Sequence, residues 1–208
     1  MAFDMQRLKP DFIRLKWILH LIVLGTLLVG CMGNPKRVTP IDSYRAGDID
    51  FGLRSLAGEG AVPIAVENFT AFIPREHRWA CRMYSFIWMP GGQPVEFYLR
   101  DAIRSELRDA SLYDDTSVKR LRGHIHSVSM NEGGIGSGAW TFTVDFSWSD
   151  GDVIPIEHLH SFPGQFMVDR ACSTAAHQFV PAVQGLIRDL ISHPLFKNRL
   201  RNTERSMK

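Results

Sequence analysis

Four histidines stand in two His-x-His pairs, His124-Ile125-His126 and His158-Leu159-His160. Each pair lies in a segment whose side chains alternate as in a strand, and alternation puts both imidazoles of a pair on one face. Neutral imidazoles so spaced are ligands for zinc or copper. The pattern places one further strand, 139–148, between the pairs, which sets them about two strand spacings, roughly 9.6 Å, apart. Asp145 is the carboxylate that a shared site would use between them. Ile154 and Ile156, however, share parity with His158 and His160, so the facing does not match cleanly. The expectation is a polar, half-exposed sheet face without a metal. A divalent-metal site at His124, His126, His158 and His160 is the alternative.

Other candidate chemistry is thinner. Gly134-Ile135-Gly136-Ser137-Gly138-Ala139 fits the spacing of a dinucleotide-binding turn, but that turn must open a helix whose N-terminus receives the pyrophosphate. Here it opens the strongest strand pattern in the chain and reads as a hairpin loop. No G-x-S-x-G, H-E-x-x-H or Walker A sequence occurs. Glu96, Glu106 and Asp145 are scattered without diagnostic spacing. Glu157 beside His158 points to the opposite face of its strand. No catalytic residue and no cofactor is assigned, and the chain reads as a non-enzyme.

The elements that position these residues follow from periodicity. Segments 62–69 and 79–88 read as strands, the latter with Arg82, Tyr84, Phe86 and Trp88 on one face and Cys81, Met83, Ser85 and Ile87 on the other. Residues 94–112 read as a helix with Pro94 at its first position and Leu99, Ile103, Leu107 and Ala110 as its apolar stripe. Segments 117–130, 139–148 and 153–162 form an antiparallel meander. In the middle strand Trp140, Phe142, Val144, Phe146 and Trp148 alternate with polar residues, and Ser149-Asp150-Gly151-Asp152 turns into the third strand. Residues 173–192 read as one closing helix, with a kink or start near Pro181 and a stop at Pro194. The order ββ-α-βββ-α predicts an α+β fold in two layers, two amphipathic helices covering one face of an antiparallel sheet. Residues 61–196 are the expected domain. Residues 31–60 read as a tether and approach, with a short apolar patch at Phe51, Leu53 and Leu56, and 197–208 as a basic mobile tail.

The N-terminus carries an address. Arg7, Lys9, Arg14 and Lys16 precede a fourteen-residue, mostly apolar run from Trp17 to Gly30. As a helix that run rises only about 21 Å, short of the roughly 30 Å hydrocarbon core, which suits a secretory signal and not a span. Leu28-Val29-Gly30-Cys31 resembles the lipobox of bacterial lipoproteins. The resemblance implies a signal peptide at 1–30, cleavage between Gly30 and Cys31, and lipid on the Cys31 thiol. Met32, where inner-membrane retention uses Asp, favours the outer membrane, with the protein facing the periplasm.

Loss of residues 1–30 removes four basic and two acidic side chains, and with them the formal charge of +2 that the full chain carries. No basic excess remains to attract nucleic acid. Two other cysteines remain, Cys81 and Cys172. In an oxidising compartment this even pair reads as a disulfide, with two buried free thiols as the alternative.

The arrangement as a whole resembles small envelope lipoproteins of the YajG-like and ABC-type-transport-auxiliary kind. Its basis is the lipobox, strand 62–69, helix 97–107, strand 139–145, the Asp150-Gly151 turn and the terminal helix segment 185–191, together covering roughly residues 60–192. The resemblance implies a non-catalytic accessory, bound to the membrane by its lipid. Its expected partner is an envelope transport or assembly complex, or lipid in transit. A periplasm-facing enzyme with a metal-assisted site and a structural envelope lipoprotein are the alternatives.

Overall fold

The computed structural model describes residues 37–46, 50–73, 76–82, 85–133 and 136–201. The expected signal peptide, Gly30 and Cys31 lie outside the described residues, as do Gly134, Ile135 and residues 202–208.

The long meander is the frame. Strands β6 (Arg120–Asn131), β7 (Ser137–Trp148) and β8 (Val153–Pro163) pair antiparallel in sequence order. Along β7 the alternation is complete. Trp140, Phe142, Val144, Phe146 and Trp148 are buried, while Thr141, Thr143, Asp145 and Ser147 are half-buried on the other face. A β-bulge between Ile125 and Ser127 re-phases β6, so that Val128 as well as Ile125 faces the core. Two short strands, β2 (Ala65–Val66) and β3 (Thr70–Ala71), add to β6 in parallel. The expected strand 62–69 is thus only two residues long. Pro63 has no N–H for a ladder, and the Arg104 guanidinium takes the Val66 carbonyl at 2.6 Å.

A second sheet was not foreseen. The segment 79–88 is a hairpin and not one strand: β4 (Arg78–Cys81) runs antiparallel to β5 (Ser85–Trp88). Alternation is blind to the reversal because parity carries on through the turn. Arg82 turns the chain with φ at 41°, and the Ser85 N–H donates to the Arg82 carbonyl at 2.9 Å. Strand β1 (Arg37–Pro40) pairs in parallel with β5. Helix α1 (Asp50–Gly58) buries Leu53 and Leu56. The segment expected as a tether therefore supplies a strand and a helix, and the compact unit begins at Arg37.

Helix α2 (Val95–Asp109) follows the expected stripe, with Pro94 at its N-cap and not inside its first turn. The expected closing helix is two, α3 (Val168–His177) and α4 (Phe179–Ser192), broken at Gln178. Pro181 is the third residue of α4, where the missing N–H leaves no helical bond unmade. Pro194 does not stop the chain but opens helix α5 (Pro194–Arg201). Phe196 and Leu200 are buried, and the Phe196 ring lies 5.8 Å from that of Trp148. That docking replaces the mobile tail expected from 197 onward, at least to Arg201.

Helices and both sheets meet at Phe179. Its ring lies 4.8 Å from Trp140, 5.6 Å from Phe142, 5.6 Å from Trp79 and 5.4 Å from Tyr98. Two of the three buried indoles, both in this cluster, are hydrogen-bonded: Trp79 Nε1 donates to the Val128 carbonyl at 2.9 Å, and Trp140 Nε1 to that of Ala175 at 2.8 Å. A disulfide joins Cys81 at the end of β4 to Cys172 on α3, with Cα atoms 5.8 Å apart and a sequence separation of 91. In the chain-entropy account, a loop of that length contributes roughly 4–5 kcal/mol.

Phe179→Ala is expected to lower the free energy of unfolding by about 3–5 kcal/mol. Urea denaturation followed by tryptophan fluorescence measures it, and Phe179→Leu should lose clearly less.

Candidate functional site

The structure separates the two histidine pairs. His124 and His126 stand on the open face of the sheet, with ring centroids 4.8 Å apart. His124 Nδ1 is 2.8 Å from Thr70 Oγ1, and His126 Nε2 donates to Asp145 Oδ2 at 2.8 Å. His158 and His160 pair across β7–β8 with Phe142 and Trp140, so they lie on the helix-covered face. His158 Nδ1 donates to Asp189 Oδ2 on α4 at 2.6 Å, and His160 Nε2 meets Gln178 Oε1 at 2.8 Å.

The four imidazoles therefore look in opposite directions through one sheet and cannot share an ion. Among the described residues no group of three or more His, Cys, Asp or Glu is placed to hold a metal. The expectation of a polar half-exposed face fits His124 and His126 but not His158 and His160, which tie the edge of the sheet to α4. Parity with Ile154 and Ile156 was the signal for that. Gly185 makes the contact possible: a Cβ there would stand 2.2 Å from His158 Nε2.

The polar surface continues into an open groove of about 440 Å³ lined by Val66, Glu67, Asn68, Arg104, Tyr113 and Arg120 among others. Glu67 accepts from Arg122 and lies 3.8 Å from Arg120. The hydrogen bond from Arg122 holds its carboxyl below the usual glutamate range against a small opposing effect of burial. Arg104 is turned onto the Val66 carbonyl, and Arg100 donates to Asn68 Oδ1 at 2.9 Å. With these groups already matched to one another, the groove is built to present fixed polar contacts.

A different surface closes the far end of the meander. The Arg82 guanidinium donates to the carbonyls of Gln165 and Phe166, both at 2.6 Å, and Gly164 N–H donates to the Gly136 carbonyl at 2.8 Å. The β4–β5 turn, the β6–β7 loop and the β8–α3 loop are thereby tied together. Three consecutive apolar side chains project from this end: Phe166 is 74% exposed, Met167 61% and Val168 43%. Sequence reasoning passed over them, although Phe-Met-Val directly after Pro163-Gly164-Gln165 was visible as an apolar run outside any periodic element. Gly136, from the described part of the dinucleotide-like stretch, sits here too, and Ser137 already belongs to β7, so that part opens a strand as expected.

No protein-family model matches the sequence, and neither does any curated protein. Among solved structures the chain is similar to protein XCC0632 from Xanthomonas campestris, described under family-model DUF330. The identity is 14%, the match covers 79% of this chain and 94% of that one, and the TM-score is 0.48. It is also similar to a crystal structure described only as an uncharacterized protein, with 8% identity, coverage of 74% and 99%, and a TM-score of 0.38. Neither likeness carries function to this chain.

Two outcomes test the site. Gly185→Ala should destabilise the fold by about 1–3 kcal/mol through overpacking against His158, and His158→Ala in the same chain should recover part of that loss. A thermal-unfolding double-mutant cycle reads it. Glu67 has a lowered pKa in the folded state, so its contribution is full above the ordinary glutamate range and is lost as pH falls through the lowered value. Glu67→Gln should therefore lower the Tm slightly at neutral pH and match the parent in acid.

Proposed function

We propose that the protein is a lipid-anchored envelope lipoprotein, held at the outer membrane and facing the periplasm. In this reading it works as a non-catalytic binding module for an envelope transport or assembly complex, or for lipid. The observation that carries the proposal is the order of the first 31 residues: a basic start, an apolar run too short to span, and small Gly30 before Cys31. Two or three acyl chains on Cys31, at ~0.8 kcal/mol per buried methylene, make a lasting anchor. The Cys81–Cys172 bridge supports folding in an oxidising compartment. Among the described residues no helix is long and apolar enough to cross a membrane, so in this reading the lipid is what holds the chain to the bilayer. The open polar sheet face and the adjoining groove are the surfaces offered to a protein partner. Their fixed, mutually satisfied charges favour recognition over turnover.

The test is metabolic labelling of the full chain with radioactive palmitate in a bacterial host, followed by membrane fractionation. The parent should carry label and sediment with the outer membrane, while Cys31→Ser should lose the label and the mature form. Label retained by Cys31→Ser would refute the anchor. Crosslinking from intact cells that recovers no envelope component would refute the binding role.

A further inference from the structure

We infer that the exposed Phe166-Met167-Val168 segment is a bilayer-contact tip that sets how the folded unit stands on its membrane. The inference rests on the proposed lipid anchor and adds a second, non-covalent point of contact.

The geometry runs through four links. The compact unit begins at Arg37, the first residue of β1. Arg37 is the register partner of Ser85. Ser85 N–H is bonded to the Arg82 carbonyl, and the Arg82 guanidinium holds the carbonyls of Gln165 and Phe166. The point where the chain joins the fold and the apolar tip therefore occupy the same end of the molecule. Only five residues lie between Cys31 and Arg37, and the six steps reach about 22 Å at full extension. A lipid on Cys31 accordingly keeps this end of the fold, and not the other, within a short distance of the bilayer surface.

The tip is suited to that neighbour. Phe, Met and Val in succession offer aromatic and aliphatic surface without a charge, and such side chains enter the boundary between headgroups and acyl chains. They are also held still. Arg82 lies in the left-handed region at φ 41° and fixes two successive carbonyls of the loop. The disulfide at Cys172 anchors the helix that begins at Val168. A contact presented by a braced loop orients the body above it.

The test uses the full lipidated chain, reconstituted in vesicles of phosphatidylethanolamine and phosphatidylglycerol with brominated acyl chains. Phe166→Trp places a reporter on the tip. Val118→Trp places one at a still more exposed site, 86% exposed, just before β6. The twelve residues of β6 separate the two ends by about 37 Å at ~3.4 Å per residue. Above the parent's own tryptophan signal, F166W is expected to be quenched by bromolipid at least about twofold more than V118W. Equal quenching of the two reporters, in protein that floats with the vesicles, overturns the tip and leaves the anchor standing. Shielding of F166W from aqueous iodide without bromolipid quenching overturns it in favour of a protein neighbour, such as a second copy. Failure of the parent to float removes the anchor, and the tip with it.

Discussion

Phe179 has to be accommodated by everything around it. A phenylalanine buried on all sides needs partners from several directions, and here they come from β4, α2 and β7 at once. The small sheet has strands of four residues, too short to bury a face of its own. Trp79 gives it a place by reaching both Phe179 and, through its indole N–H, the backbone of β6. Because aromatic pairs favour edge-on or offset geometry, the cluster fixes angles as well as distances.

That requirement sorts the sheet into two faces with different tasks. The covered face is filled by rings and aliphatic side chains, and at its margin His158 and His160 fasten β8 to α4 and to Gln178. The open face carries hydroxyls, His124, His126 and Asp145, with Val153 and Leu159 exposed along β8. Polar groups there are matched to one another, as His126 is to Asp145 and Glu67 to Arg122. A surface so arranged is rigid, wet and specific in its pattern of donors and acceptors.

Legibility in the sequence tracked how local the determinants were. The meander could be read because β7 alternates without a fault over ten residues and a tight turn follows it. Helix α2 could be read from its stripe, and the α+β class followed from the order of elements. Parity also disclosed that Ile154 and Ile156 share a face with His158 and His160. The second sheet was hidden, since a turn that preserves parity leaves no mark on alternation and β1 pairs with a strand some fifty residues away. The bulge at Ile125–Ser127 was hidden for a related reason: it shows only as a spacing of three between Ile125 and Val128 in an otherwise regular run. Pro181 marks a helix start, one of the two readings its position allowed, and the helix before Pro194 does end at Ser192; what stayed hidden is that Pro194 also opens a further helix, which Phe196 docks. The end-on cluster of loops depends on Arg82 meeting carbonyls more than eighty residues away, which no local pattern encodes.

The bridge between Cys81 and Cys172 also bears on timing. The chain is made from its N-terminus, so 90 residues must follow Cys81 before its partner exists. Phe179 comes later still. The hairpins of the meander join neighbours and can pair as soon as they are complete. The small sheet, though earlier in the chain, waits for α3 and α4 to close over it. Until then Cys81 is an open thiol, and Trp79 lacks the ring that will cover it. The last quarter of the chain thus decides when the hairpin of β4 and β5 becomes covered.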